Sequence, residues 1–243
     1  MDTSFWIQYN PKIEVTHTTK KYFGRYLYKL VVYAPAGRLI DSKDPIEDAL
    51  AHRHTMTKNV NYGGWWGSRY NRDIDNADVE FLSQLQKIRQ DRTLGLKLRV
   101  EEPRIQIYAE NMDQLTELVK THFNTNWNIF VESISGPADV HAETILNSGA
   151  IIRKTDVGYQ YKIIIRDGRY SPEIKNNLLN YLTNLDSTDI KLPASGRDML
   201  VKSNGFIWNM YLYVNDAAIA DFLNLIHPGI VSNCHELVVI ADK

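Results

Sequence analysis

His52 and His54, separated by Arg53, form the pair best spaced for chemistry in this chain. On a strand, residues i and i+2 share a face, so two imidazoles could converge on a divalent cation while the phenol of Tyr70 attacked a phosphorus. The stretch reads instead as a helix end, where i and i+2 diverge, and no metal site is expected. A metal-free alternative uses His52 or His54 with Arg69 or Tyr70 as acid, base or charge stabiliser. Asp73 and Asp75, or Glu101 and Glu102, could in principle clamp two metals, but Asp75 reads as part of a helix cap and the glutamates as an exposed turn. There is no nucleophile elbow, Walker loop or dinucleotide fingerprint, so no cofactor is expected. The other chemistry on offer is recognition by cations and aromatic rings, and it depends on how strands present them.

Those strands repeat. Tyr26-Leu27-Tyr28-Lys29-Leu30-Val31-Val32 returns as Tyr159-Gln160-Tyr161-Lys162-Ile163-Ile164-Ile165, with similar neighbours in similar order. A fixed-spacing repeat of this kind marks a duplicated unit. Each copy reads as a β-hairpin leading into a long strand (13–18 with 22–33; 150–154 with 157–166), a helix, two strands, a second helix and a closing strand. The first helices are expected from Asn76, with the stripe Val79, Phe81, Leu82, Leu85 and Ile88, and from Ser171-Pro172, with Ile174, Leu178, Leu179 and Leu182. The second helices begin at Asn111 (Leu115, Leu118, Val119, Phe123) and Asp216 (Ile219, Phe222, Leu223, Ile226). The layout is similar to a ferredoxin-like βαββαβ unit. The expected fold class is therefore α+β: a tandem duplication of that unit, with antiparallel four-stranded sheets and helices on one face. Unit 1 is expected over 1–136, a connecting helix over 137–149 and unit 2 over 150–243.

Helices on one face leave the other face open. Period-two alternation puts Lys97, Arg99, Arg104, Gln106 and Tyr108 there in copy one, beside Arg25 and Lys29. Five basic residues and no acidic one lie between Thr19 and Arg38. In copy two the outward set is Asn209, Tyr211 and Tyr213, beside Lys162 and Arg166. Rings that stack on bases, flanked by cations that neutralise phosphates, are what a single-stranded nucleic acid requires. The surface resembles that of the RNA-recognition motif in arrangement, although the family's Lys/Arg-Gly-Phe signature is not spelled. Paired units of this kind also resemble, in architecture, the CRISPR repeat-processing ribonucleases, whose glycine-rich carboxy-terminal loop is missing here. The His52/His54/Tyr70 set resembles a rolling-circle nickase motif, from which Arg53 departs.

The copies are offset by different amounts at their first strands and second helices, which assigns about 29 extra residues to copy one, around 51–75. Loops on a rigid scaffold are where binding residues concentrate. This one carries Trp65, Trp66, Arg69 and Arg72, with one tryptophan expected to anchor the loop and the other to contact a base or a protein partner. Composition fits a packed globular chain: 44% apolar, 23% charged and net charge −1. The charge does not advertise a nucleic-acid partner, and the lone Cys234 excludes an intrachain disulfide and is expected to be buried. Residues 1–6 show no signal-peptide pattern, and no stretch of about 18 apolar residues occurs, so a cytoplasmic, membrane-free protein is expected. The leading functional expectation is a non-enzymatic protein that binds single-stranded nucleic acid, RNA ahead of DNA, or a replication or transcription accessory. The alternatives are a metal-independent endoribonuclease or nickase, and a structural or protein-interaction module.

Overall fold

The computed structural model describes residues 3–51, 74–101, 103–202 and 205–240. His52, His54, Trp65, Trp66, Arg69, Tyr70 and Arg72, and with them the expected insertion, lie outside the described residues. The chain divides into two compact units, Met1–Glu143 and Thr144–Lys243, both mixed α+β.

Unit 1 holds strands β1 (Glu14–His17), β2 (Tyr28–Tyr33), β3 (Lys97–Glu101), β4 (Arg104–Ala109) and β5 (Val131–Gly136), in the sheet order β1-β5-β2-β4-β3. In unit 2, β6 (Ile151–Arg153), β7 (Tyr161–Ile165), β9 (Ile190–Lys191), β11 (Tyr211–Val214) and β12 (Val231–Val239) are ordered β6-β12-β7-β11-β9, and β8 (Gly168–Arg169) pairs with β10 (Phe206–Ile207). Helices among the described residues include α1 (Ser4–Tyr9), α2 (Asn76–Gln90), α3 (Met112–His122), α4 (Val140–Asn147), α5 (Pro172–Asn184), α6 (Ala194–Val201) and α7 (Ala218–Ile226).

The four-stranded antiparallel sheets of the sequence reading are five-stranded and mixed. The first segment of each copy does not form a hairpin with the next strand: β1 runs parallel to β5, and β6 parallel to β12. In both units the closing strand inserts between the two presumed hairpin partners. The turn signals that suggested hairpins belong to loops that cross the end of that strand. In unit 1 the crossing ends in a tight turn, with Phe23 and Gly24 at φ 54° and 71° and Tyr22 bridged to Tyr26. Two successive positive φ values are the pattern of a type I′ turn. In unit 2, Asp156 Oδ1 accepts from Gly158 N at 2.7 Å, and Gly158 has φ 79°.

The helix stripes form the cores. Phe81, Leu82, Leu85 and Ile88 of α2 and Leu115, Leu118 and Val119 of α3 are buried together with Leu30, Val32, Ile105, Ile107 and Ile134 of the sheet. Each such side chain contributes on the order of 1.5–3 kcal/mol when taken from water. In unit 2, Leu178, Leu182, Ile219 and Leu223 join Ile163, Ile165, Leu212 and Val214. The cap of α2 is Asp75 rather than Asn76: Asp75 Oδ1 accepts from Asp78 N at 2.8 Å, and Asp78 Oδ2 accepts from Asp75 N at 3.3 Å, a reciprocal capping box. Asn111 and Ser171 cap α3 and α5 as expected. Phe222, expected on a buried stripe, is 53% exposed, because Ile219 and Leu223 are enough to seat the short α7. Cys234, expected to be buried, is exposed. Unit 2 has α6 and β10 between β9 and β11, a segment with no counterpart between β3 and β4 of unit 1.

Candidate nucleic-acid interface

Cross-strand register assembles the candidate residues. In unit 1, Lys29 of β2 and Lys97 of β3 both lie opposite Tyr108 of β4. In unit 2, Lys162 of β7 and Lys191 of β9 both lie opposite Tyr213 of β11. Each sheet thus carries a Lys-Tyr-Lys row on the face turned away from its helices. The ring two positions before the repeat's second tyrosine also recurs in place: Tyr26 lies 6.3 Å from Tyr108, and Tyr159 lies 6.3 Å from Tyr213.

In unit 1 the row is covered. The tight turn lays Tyr22 and Phe23 against Tyr108, with ring centroids at 5.2 and 5.0 Å, and Lys97 Nζ sits 4.0 Å over the Phe23 ring. Tyr108, expected to be outward and exposed, is only 3% exposed for this reason. Burial, followed by the nearby Glu101 charge, pushes its phenol up to about 12. Lys29 Nζ lies 5.3 Å from the centroid of the Tyr22 ring, and the three predicted arginines of this unit are paired with carboxylates. Arg25 reaches Glu110 at 2.5 Å, Arg99 reaches Glu101 at 2.9 Å, and Arg104 meets Glu132. Glu110 and Glu132 hold the Arg25 and Arg104 guanidinium groups firmly in their charged form. The alternation that put Lys97, Arg99 and Arg104 on one face was right, but the face is largely neutralised from within.

Unit 2 differs in the cover over its rings. Tyr211 and Tyr213 are half-buried, with their rings 5.4 Å apart, and Tyr159 stacks beside Tyr213 at an interplanar angle of 22°. Lys162 Nζ lies 4.1 Å over the Tyr211 ring, a cation–π contact. The row continues to His235, in register with Lys162, whose Nδ1 donates to the Gly149 carbonyl at 2.8 Å. The next row is Tyr211, Ile164 and Asn233. Among these described in-register residues none is acidic. Arg166, just past β7, is exposed.

The chain matches no protein-family model, no curated protein and no solved structure. Among the described residues, no group of three His, Cys, Asp or Glu side chains could hold a metal ion, and no helix is long and apolar enough to cross a membrane.

Lys191, His235, Phe206 and Trp208 are not among the residues expected on the open face, and Tyr159 is expected only as part of the repeat. Lys191 lies on a two-residue strand too short to show alternation. Phe206 and Trp208 were missed because strict alternation counted back from Tyr213 makes Asn209 outward. Asn209 is instead a turn residue at φ 51°, its N–H donating to Asp167 Oδ1 at 2.7 Å. That turn slips the register by one, so Ile207 and Met210 are buried while Phe206 and Trp208 are 46% and 60% exposed. The Phe-x-Trp followed by Tyr-x-Tyr was the available signal.

Proposed function

We propose that the chain is a duplicated ferredoxin-like βαββαβ unit, each copy extended by one parallel edge strand, and that the open sheet face of unit 2 binds single-stranded nucleic acid without catalysing a reaction. The duplication is supported by the shared order β5-β2-β4-β3 and β12-β7-β11-β9, and by the recurrence of the Lys-Tyr-Lys row at the same register. The binding reading is carried by one observation: Tyr211 and Tyr213, with Tyr159 stacked beside Tyr213, lie among Lys162, Lys191 and His235, and no carboxylate is in register with Tyr211 or Tyr213. Ring faces suit stacked bases of any sequence, and flanking lysines suit a backbone of phosphates.

The test is fluorescence anisotropy of the full chain with labelled 12-nucleotide RNA and DNA of matched sequence across a salt series. Affinity should fall steeply with salt. Lys162→Ala with Lys191→Ala should lower the slope of log K against log salt by about two units, one for each lost phosphate contact. Tyr213→Ala should weaken binding about tenfold, the effect of one lost stack. A parent protein that binds neither oligonucleotide at low salt would dismiss the reading.

A further inference from the structure

The rings of unit 2 do not end at Tyr211. Strands β8 and β10 prolong the β7–β11 ladder past a kink: Ile165 N donates to the Met210 carbonyl at 2.9 Å, Asn209 N donates to Asp167 Oδ1, and beyond that point Phe206 pairs with Arg169 and Ile207 with Gly168. The one-residue slip at Asn209 has a chemical consequence. It keeps Ile207, Met210, Leu212 and Val214 in the core and turns Phe206, Trp208, Tyr211 and Tyr213 away from it along one bent strand. Phe206 and Trp208 form a second ring pair, 5.9 Å apart, matching the Tyr211–Tyr213 pair on the other side of the kink.

Trp208 and Phe206 are anomalous as surface residues. Each leaves about half of its ring surface in water, and a side-by-side exposed pair of this kind marks a contact surface. The surroundings select the partner. Cations line both ends of the stripe: Arg169 is exposed and directly opposite Phe206, and Lys162 is opposite Tyr213. The intervening Asp167 has one carboxylate oxygen occupied by the Asn209 backbone N–H. From Phe206 to Tyr213 the stripe spans about 20 Å at strand rise, room for on the order of four to six nucleotides.

Resting on the reading above, we infer that Phe206 and Trp208 form a second base-stacking platform, with Arg169 as its phosphate contact, and that the bound strand follows β11 across the kink onto β10. The length of nucleic acid recognised is then set by two ring pairs rather than one.

The experiment measures binding of labelled oligouridylates of 4, 8 and 12 nucleotides to the full chain, comparing the parent with Trp208→Ala, Trp208→Phe and Tyr213→Ala, each checked by circular dichroism for an unchanged fold. The parent should gain affinity from 4 to 8 nucleotides. Trp208→Ala should abolish that gain, about a tenfold loss at 8 and 12 nucleotides. Trp208→Phe, which keeps a ring face, should restore binding to within about threefold, and Tyr213→Ala should weaken all three lengths. If Trp208→Ala leaves every length unchanged while Tyr213→Ala weakens binding, the platform is refuted and the sheet-face reading stands, with the exposed rings left as a protein contact. Equal losses in Trp208→Ala and Trp208→Phe would refute stacking. If the parent binds no length, the sheet-face reading itself fails.

Discussion

Lys175 offers a test of the packing of unit 2 that is independent of any ligand. Its side chain is fully buried, and its ammonium donates to three backbone carbonyls: Met199 at 3.1 Å, Lys202 at 2.9 Å and Gly205 at 2.6 Å. Met199 lies in the last turn of α6 and Lys202 is its C-cap, so α5 supplies a cation to carbonyls that an eight-residue helix cannot satisfy itself. Replacing Lys175 by Met keeps the length and apolar stem but removes all three donors. A buried carbonyl without a donor costs about 1–3 kcal/mol. Relief of the ammonium's desolvation offsets several kcal/mol of that sum, which leaves a net destabilisation of about 3 kcal/mol. In a unit of ordinary stability, about 5–15 kcal/mol, this is a large loss. Hydrogen exchange read by mass spectrometry should show peptides across α6 and β10 losing protection in Lys175→Met, with β2 and β4 of unit 1 unchanged. The pH dependence supplies a second readout. Burial pulls the Lys175 pKa below its ordinary value of 10.5, so between the folded and unfolded values the unfolded chain binds more protons, and folded stability from this group rises with pH in that window. The deficit of Lys175→Met relative to the parent should therefore widen toward pH 10.5. A variant as stable as the parent would show that the carbonyls are satisfied without the ammonium and refute the reasoning; a deficit that stays flat toward pH 10.5 would refute the depressed pKa.

Three further outcomes follow from the described contacts. Burial raises the Tyr28 and Tyr108 phenols to about 12, so they contribute stability that is full below about pH 10 and lost as pH rises toward 12; urea midpoints at pH 9 and 11 should fall for the parent and fall less for Tyr108→Phe. Arg99→Ala combined with Arg104→Ala should change oligonucleotide affinity less than Lys162→Ala does, because Glu101 and Glu132 already neutralise both, and should lower stability by no more than about 1 kcal/mol for each exposed pair; a loss exceeding that of Lys162→Ala would move the binding face to unit 1. Asp75→Ala removes one half of the α2 capping box and should cost about 1 kcal/mol in a urea titration, while Asn76→Ala should cost almost nothing.

The helices were legible because their signals are local. Cap chemistry at Asn111 and Ser171-Pro172 and stripes at a 3.6-residue period act within one element, and the structure follows them. Sheet neighbours are not local. The apolar run at Ile151 pairs with Leu237 across most of unit 2, and nothing near Ile151 distinguishes that partner from Tyr161. Alternation also fails wherever the backbone slips. One left-handed residue, Asn209, inverted the assignment of Phe206 and Trp208, whereas Lys97 to Tyr108, with no slip, was assigned correctly.

What alternation cannot supply is the cover on a face, and here the two units part. Both place a tyrosine between two lysines across three strands, and both bring a ring from the repeat's first tyrosine to 6.3 Å from it. The difference lies in the loop before the repeat. In unit 1 the positive φ at Phe23 and Gly24 folds that loop back, so that two rings seal Tyr108 and an ammonium rests on the outer one. A non-glycine residue in the left-handed region costs on the order of 1 kcal/mol, which the Phe23–Tyr108 and Lys97–Phe23 contacts offset. In unit 2 the corresponding loop places its only left-handed residue at Gly158, without strain and without a ring to fold back. The same cross-strand row is therefore a closed hydrophobic plug in one copy and a half-open ring surface in the other. A ligand that needs ring faces has its rings in unit 2, although five of the seven basic residues first singled out on open faces lie in unit 1.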